Sequence, residues 1–145
     1  AYAGQPWKTQ ARVREIMDTL YSDRPDGLSG NEDCGQMSAW LVFTALGFYP
    51  VAPGSNEYVI GRPFLNRAAL NLPNGKRFTI VADGLSDTNK YVGKVLLNGR
   101  PLARGYLKHE EIVAGGELRF GMQAVPNRSW ATGKAARPYS MSTAR

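Results

Sequence analysis

The segment QMSAWLVFTAL, residues 36–46, constrains the fold of this chain more than any other. Met37, Trp40, Leu41 and Thr44 make one helical stripe, and Val42, Phe43, Ala45 and Leu46 cover much of the remaining circumference. A helix that is apolar on nearly every side has to be surrounded by protein. Its start falls between Asp33 and Gln36. Gly47 supplies the usual glycine after its last turn, and Pro50 prevents any continuation.

Upstream, PWKTQARVREIMDTLY predicts a second helix. Val13, Ile16, Met17 and Leu20 fall on one face of a 3.6-residue period, while Arg12, Arg14, Glu15 and Asp18 take the other sides. Pro6 suits a first-turn position, and Pro25 with Gly27 marks a stop and a turn. Two helices cannot by themselves bury the surface that residues 36–46 present.

After PVAPGSNE the period changes to two. Tyr58 and Ile60 alternate, then Ala68, Leu70 and Leu72, and after Pro73-Asn74-Gly75 the residues Phe78 and Ile80 alternate with Arg77 and Thr79. An Asn-Gly pair between two such runs predicts a hairpin, because it tolerates positive φ. Tyr91 to Leu97 reads as a further strand closed by Asn98-Gly99, LKHEEIVAGG as one helical turn, and GELRFGM as a last strand. The expected class is α+β: two helices, then five or six short strands in a small antiparallel region. The expected boundaries are 1–52, 53–124 and an extended tail over 125–145.

Composition narrows the classes of function. With 43% hydrophobic and 10% aromatic residues the chain can build a core. No apolar run approaches the roughly 20 residues of a membrane span, and AYAGQPWKTQ lacks the basic-then-apolar layout of a signal peptide. The single cysteine, Cys34, forms neither an internal disulfide nor a cysteine-rich metal site. The net charge of +6 is uneven: residues 1–60 carry 4 Lys/Arg against 7 Asp/Glu, and residues 61–145 carry 14 against 5. The basic residues of the second half are scattered singly and not interleaved with aromatics, which reads as a solvated face and not a nucleic-acid surface.

The chemistry concentrates in DGLSGNEDCGQMSAW, residues 26–40. Two adjacent acids, Glu32 and Asp33, stand between glycines immediately before the apolar helix. Glycine lets the backbone turn sharply and approach a ligand closely. Mutual repulsion opposes ionisation of the pair, whereas the positive end of a helix dipole favours it. An acid or amide before a helix is commonly only a cap. The glycines, the two acids and Asn31 at the mouth of an enclosed helix also suit a concave polar site, so from the residues alone a cap and an acid/base site both stand.

The wording of the stretch goes further. PDGLSGNEDCGQMSAWLVFTALGFYPVAPGSNEYVIGRP, residues 25–63, resembles the signature of glycoside hydrolase family 92, the exo-acting α-mannosidases. AYAGQPWKTQ is similar to the family block just upstream, and LPNGKRFTIVADGLSDTNKYVGKVLLNGRPL, HEEIVAGGELRFGM and VPNRSW to its C-terminal β region. Leu41 stands where the family often has an aromatic, and the residues after Trp130 match nothing in it.

Members of that family join an N-terminal β-sandwich to an (α/α)6 helical barrel with short strands at the C-terminal end. They remove terminal α-linked mannose with inversion and use Ca2+. The resemblance therefore implies the last piece of such an enzyme: the final barrel helices and the β appendage, with a mannose-containing glycan as substrate. Its partner is the N-terminal part of the same enzyme, and the setting secreted, periplasmic or cell-surface. It implies Asp33 as the general base, with Glu32 and Asn31 holding water or sugar hydroxyls. Trp7 and Lys8 are candidates to line the sugar pocket. The general acid and most calcium ligands are expected outside this chain, so the chain alone is expected to be inactive. Trp40 is expected in the core, and His109, in a surface-like turn, is expected to have no catalytic or metal role. The alternative is a stand-alone carbohydrate-binding or interaction module without catalysis.

Overall fold

The computed structural model describes residues 1–143. Helix α1 spans Pro6–Leu20 with proline in its first turn, and α2 spans Gln36–Leu46. Eight strands follow: β1 Phe48–Tyr49, β2 Glu57–Ile60, β3 Arg67–Asn71, β4 Arg77–Asp83, β5 Tyr91–Leu97, β6 Arg100–Pro101, β7 Tyr106–Lys108 and β8 Gly116–Gln123, with α3, His109–Val113, between the last two. The class is α+β, as the periodicities predict. β1, β6 and β7 are too short to show a period, which is why the sequence reading finds only five or six strands.

The strands form two sheets, one of order β1-β2-β7 and one of order β3-β4-β8-β5-β6. All pairings are antiparallel except β4 with β8, which run parallel from Phe78 beside Gly116 to Asp83 beside Gly121. Only long-range packing brings β4 and β8 together, so local sequence pattern is blind to that parallel pair. The hairpin residues act as expected, with a difference between the two turns. Asn98 (φ 51°) and Gly99 (φ 77°) are both left-handed, whereas at the β3–β4 turn only Gly75 is. There the Asn74 side chain ties the loop to the carbonyl of Val113 at 2.8 Å instead.

Alternation along β4 and β8 turns Phe78, Ile80 and Ala82 and Leu118, Phe120 and Met122 to one side. They join Leu46, Phe48, Ile60, Val92, Val95 and Leu107 in one buried cluster. Gly47 seats the end of α2 on this core. It is left-handed (φ 99°), and a Cβ built there would stand 3.1 Å from the ring of Phe120.

The helices are stitched to the β region by polar groups. Gln10 of α1 is 1% exposed and its Oε1 accepts the Val92 amide of β5 at 3.1 Å. Gln10→Leu should therefore cost about 1–3 kcal/mol, the penalty of a buried amide left without a partner, measurable as a lower midpoint in urea unfolding. Arg14 pairs with Asp18 on its own helix and reaches Asp87 of the β4–β5 loop. Beside it the buried Arg62 lies with Cζ 4.6 Å from the Phe64 ring centroid and donates to the Ser86 carbonyl. Burial first, and the charge of Arg14 second, push the Arg62 guanidinium down to about 10. On α3, Glu111 bonds Arg104 and the Lys108 amide; these outweigh the opposing effect of burial and hold its carboxyl below the ordinary range.

Residues 125–143 fold back across the β region. Trp130 Nε1 donates to the Leu102 carbonyl at 2.8 Å, Gly105 donates to the Ala136 carbonyl, and the Tyr139 amide reaches Glu57. The tail carries 3-10 turns at Lys134–Ala136 and Met141–Thr143. Few of its residues alternate in polarity, so these contacts leave little trace in the sequence.

Candidate active site

α1 ends at Leu20, and the chain turns back on itself before α2. Tyr21 bridges to Leu28, the Ser22 amide donates to the Gly27 carbonyl, and Gly27 to that of Arg24. The Tyr21 ring stacks on Trp40 of α2, with centroids 5.4 Å apart and planes 12° from parallel, and its hydroxyl donates to the Met37 carbonyl at 3.4 Å. Burial first, and then the charges of Glu32 and Tyr49, raise the Tyr21 phenol above its ordinary value. Both ends of the loop are thus pinned to the helices, and residues 29–35 emerge at the head of α2.

Asp33–Gly35 form a 3-10 turn leading into α2. Two consecutive residues in it are left-handed, Cys34 (φ 56°, ψ 23°) and Gly35 (φ 75°, ψ 20°). For a residue with a Cβ this conformation costs roughly 1–2 kcal/mol, and strain of this kind gathers at functional sites held by their surroundings. Gly35 precedes α2 with no side-chain cap of its own. The capping work is done from further back, because both Oε1 and Oε2 of Glu32 accept the Ser38 amide at 3.1 Å.

The two acids are therefore unlike in setting. Glu32 is half-buried and committed to the helix, whereas Asp33 is exposed and its carboxylate has no hydrogen bond or ion pair to any described residue. Asn31 is exposed and its amide is likewise free. A carboxylate that is not used by its own fold, at the positive end of a helix, is available to take a proton from a water or a hydroxyl.

The other residues singled out from the sequence are not drawn into this turn. Trp7 is half-buried and Lys8 exposed in the first turn of α1, and no hydrogen bond, ion pair or ring contact joins either to residues 31–33. Trp40 is half-buried against Tyr21, not enclosed in the core. His109 is exposed, with Nδ1 3.0 Å from the Tyr58 hydroxyl. Among the described residues no group of three or more His, Cys, Asp or Glu is placed to hold a metal ion. Sequence reasoning missed Tyr21. It follows the last periodic residue of α1, and its role arises only when α2 brings Trp40 against it.

The chain belongs to glycosyl hydrolase family 92: the model of that family's catalytic domain matches residues 1–124. A solved inverting mannosidase of this family from Bacteroides thetaiotaomicron is 48% identical, with a TM-score of 0.91, over 98% of this chain and 19% of its own. An α-mannosidase of the family from the same organism, solved with mannoimidazole, is 44% identical, with a TM-score of 0.91, over 97% of this chain and 18% of its own. Among curated proteins, an uncharacterised secreted glycosidase of Arthroderma benhamiae is 32% identical over 97% of this chain and 18% of its own length. The chain thus spans about a fifth of the relatives it matches.

Proposed function

We propose that this chain is the C-terminal part of the catalytic domain of a calcium-dependent, inverting exo-α-mannosidase, and that Asp33 is its general base. The observation that carries the reading is the free Asp33 carboxylate in a left-handed turn at the head of α2. The relatives described as an inverting mannosidase and as an α-mannosidase with mannoimidazole support the substrate class. In an inverting hydrolysis a carboxylate activates water on one face of the sugar while a carboxylic acid protonates the leaving oxygen on the other. Asp33 takes the water's proton as its oxygen attacks the anomeric carbon, and Asn31 holds that water or a neighbouring sugar hydroxyl. Trp7 and Lys8 flank the sugar where α1 begins.

The general acid comes from the portion of the enzyme beyond this chain, and so do most ligands of the calcium ion. Calcium takes six to eight oxygens, and residues 31–33 offer it at most one or two. The same portion covers the helices. Val42 of α2 is 59% exposed here, although an apolar helix calls for neighbours on all sides, and Leu20 at the end of α1 is 47% exposed. Val42→Glu should change the stability of the 145-residue chain by no more than about 0.5 kcal/mol. In the complete enzyme the same change buries an unpaired carboxylate and should lower the melting temperature by several degrees, which differential scanning fluorimetry of both forms would read. A secreted, periplasmic or cell-surface setting fits the curated relative, described as secreted. No helix among the described residues is long and apolar enough to cross a membrane. The decisive test of the function is Asp33→Asn in the complete enzyme, assayed on an aryl α-mannoside: near-normal turnover removes Asp33 from the role.

A further inference from the structure

The sequence reading gives Glu32 a contact with water or a sugar hydroxyl, but its contacts in the fold point elsewhere. We infer that Glu32 is a positioning residue that aims Asp33 and does not touch the sugar, an inference that rests on the reading of Asp33 as the base. Glu32 closes the turn twice. Its main-chain carbonyl accepts the Gly35 amide at 3.0 Å, and both oxygens of its carboxylate accept the Ser38 amide at 3.1 Å. Asp33 and Cys34 lie inside the loop these bonds close. The inner bond encloses the left-handed Cys34 and ends on the left-handed Gly35, a conformation that persists only where something outside it holds it.

A second support comes from the α1 side. Tyr21 stacks on Trp40 and binds the Met37 carbonyl, one residue before Ser38, so the first turn of α2 is held from both directions. Turning the Glu32 carboxylate outward to a sugar would release the Ser38 amide and leave the strained turn closed by its main-chain bond alone. The direction of the Asp33 side chain depends on that turn. A base displaced by about 1 Å from the attacking water loses on the order of 10²-fold in rate. Glu32 thus acts on the chemistry through Asp33.

The test uses the complete enzyme, comparing Glu32→Gln, Glu32→Ala, Asp33→Asn and Asp33→Ala on an aryl α-mannoside. Glu32→Gln keeps an oxygen for the Ser38 amide, and its kcat should stay within about 3-fold of the parent. Glu32→Ala should lower kcat by on the order of 10²-fold with KM little changed, because orientation is lost and binding is not. Formate, a small exogenous base, should raise the turnover of Asp33→Ala and leave that of Glu32→Ala unchanged. Three results would overturn the inference: a raised KM with kcat preserved in Glu32→Ala, as for a sugar contact; Glu32→Gln as damaging as Asp33→Asn, as for a reacting carboxylate; or full activity in Glu32→Ala. Near-normal turnover of Asp33→Asn instead removes the underlying reading, so the two failures are told apart.

Discussion

Asp33→Asn in the complete enzyme should lower kcat by about 10²–10⁴-fold, the contribution of a positioned general base, with KM close to its parent value. Asparagine matches the size of aspartate and can still hydrogen-bond a water, so the pocket's shape and its grip on the ground-state sugar survive. What is lost is the capacity to accept a proton as the water attacks. That loss falls on the transition state alone, which places the effect in kcat. Stability should hardly change, because the Asp33 carboxylate has no hydrogen bond or ion pair to any described residue. The informative contrast is a melting temperature that stays put while turnover collapses. A tenfold rise in KM with turnover intact would make Asp33 a binding residue instead.

The purified 145-residue chain should release no mannose above background, which amounts to loss of the whole catalytic rate. Inversion needs two carboxyl groups about 6.5–9.5 Å apart on opposite faces of the sugar. Glu32 and Asp33 are neighbours in sequence and cannot straddle a ring, and Glu32 is held against Ser38. Several other carboxylates are engaged by neighbours of their own. Asp83 and Glu117 bind Arg119, Glu111 binds Arg104, and Glu57 holds the Tyr139 amide. Asp33 also stands open to solvent here, where bulk water screens every charge that a closed site would exploit. A coupled assay for free mannose checks this, and measurable release would contradict the division of the site between this chain and the rest. Sugar affinity without hydrolysis, persisting in Asp33→Asn, would favour a binding module.

The contrast between Glu32 and Asp33 shows how far the site was legible. Adjacent acids between glycines before an apolar run marked the place, and the wording of residues 25–63 marked the family. Which acid is occupied was not legible. A carboxylate six residues before the amide it binds follows no helical or capping spacing; it reaches Ser38 because the chain reverses through left-handed Cys34 and Gly35. Nor does any sequence rule place Tyr21 against Trp40, since their pairing depends on the approach of two helices.

The fold divides along the same line. The hairpin strands, the helix limits at Pro6 and Gly47, and the left-handed turn at Asn98-Gly99 were set by sequence alone, because periodicity, proline and glycine act on neighbours a few residues apart. The parallel pairing of β4 with β8, the return of residues 125–143 over the sheets and the unlike settings of Glu32 and Asp33 were decided only by tertiary structure. Each joins groups far apart in the chain or turned by backbone reversal. Their free energy comes from burial and hydrogen bonds that exist only once the pieces have met.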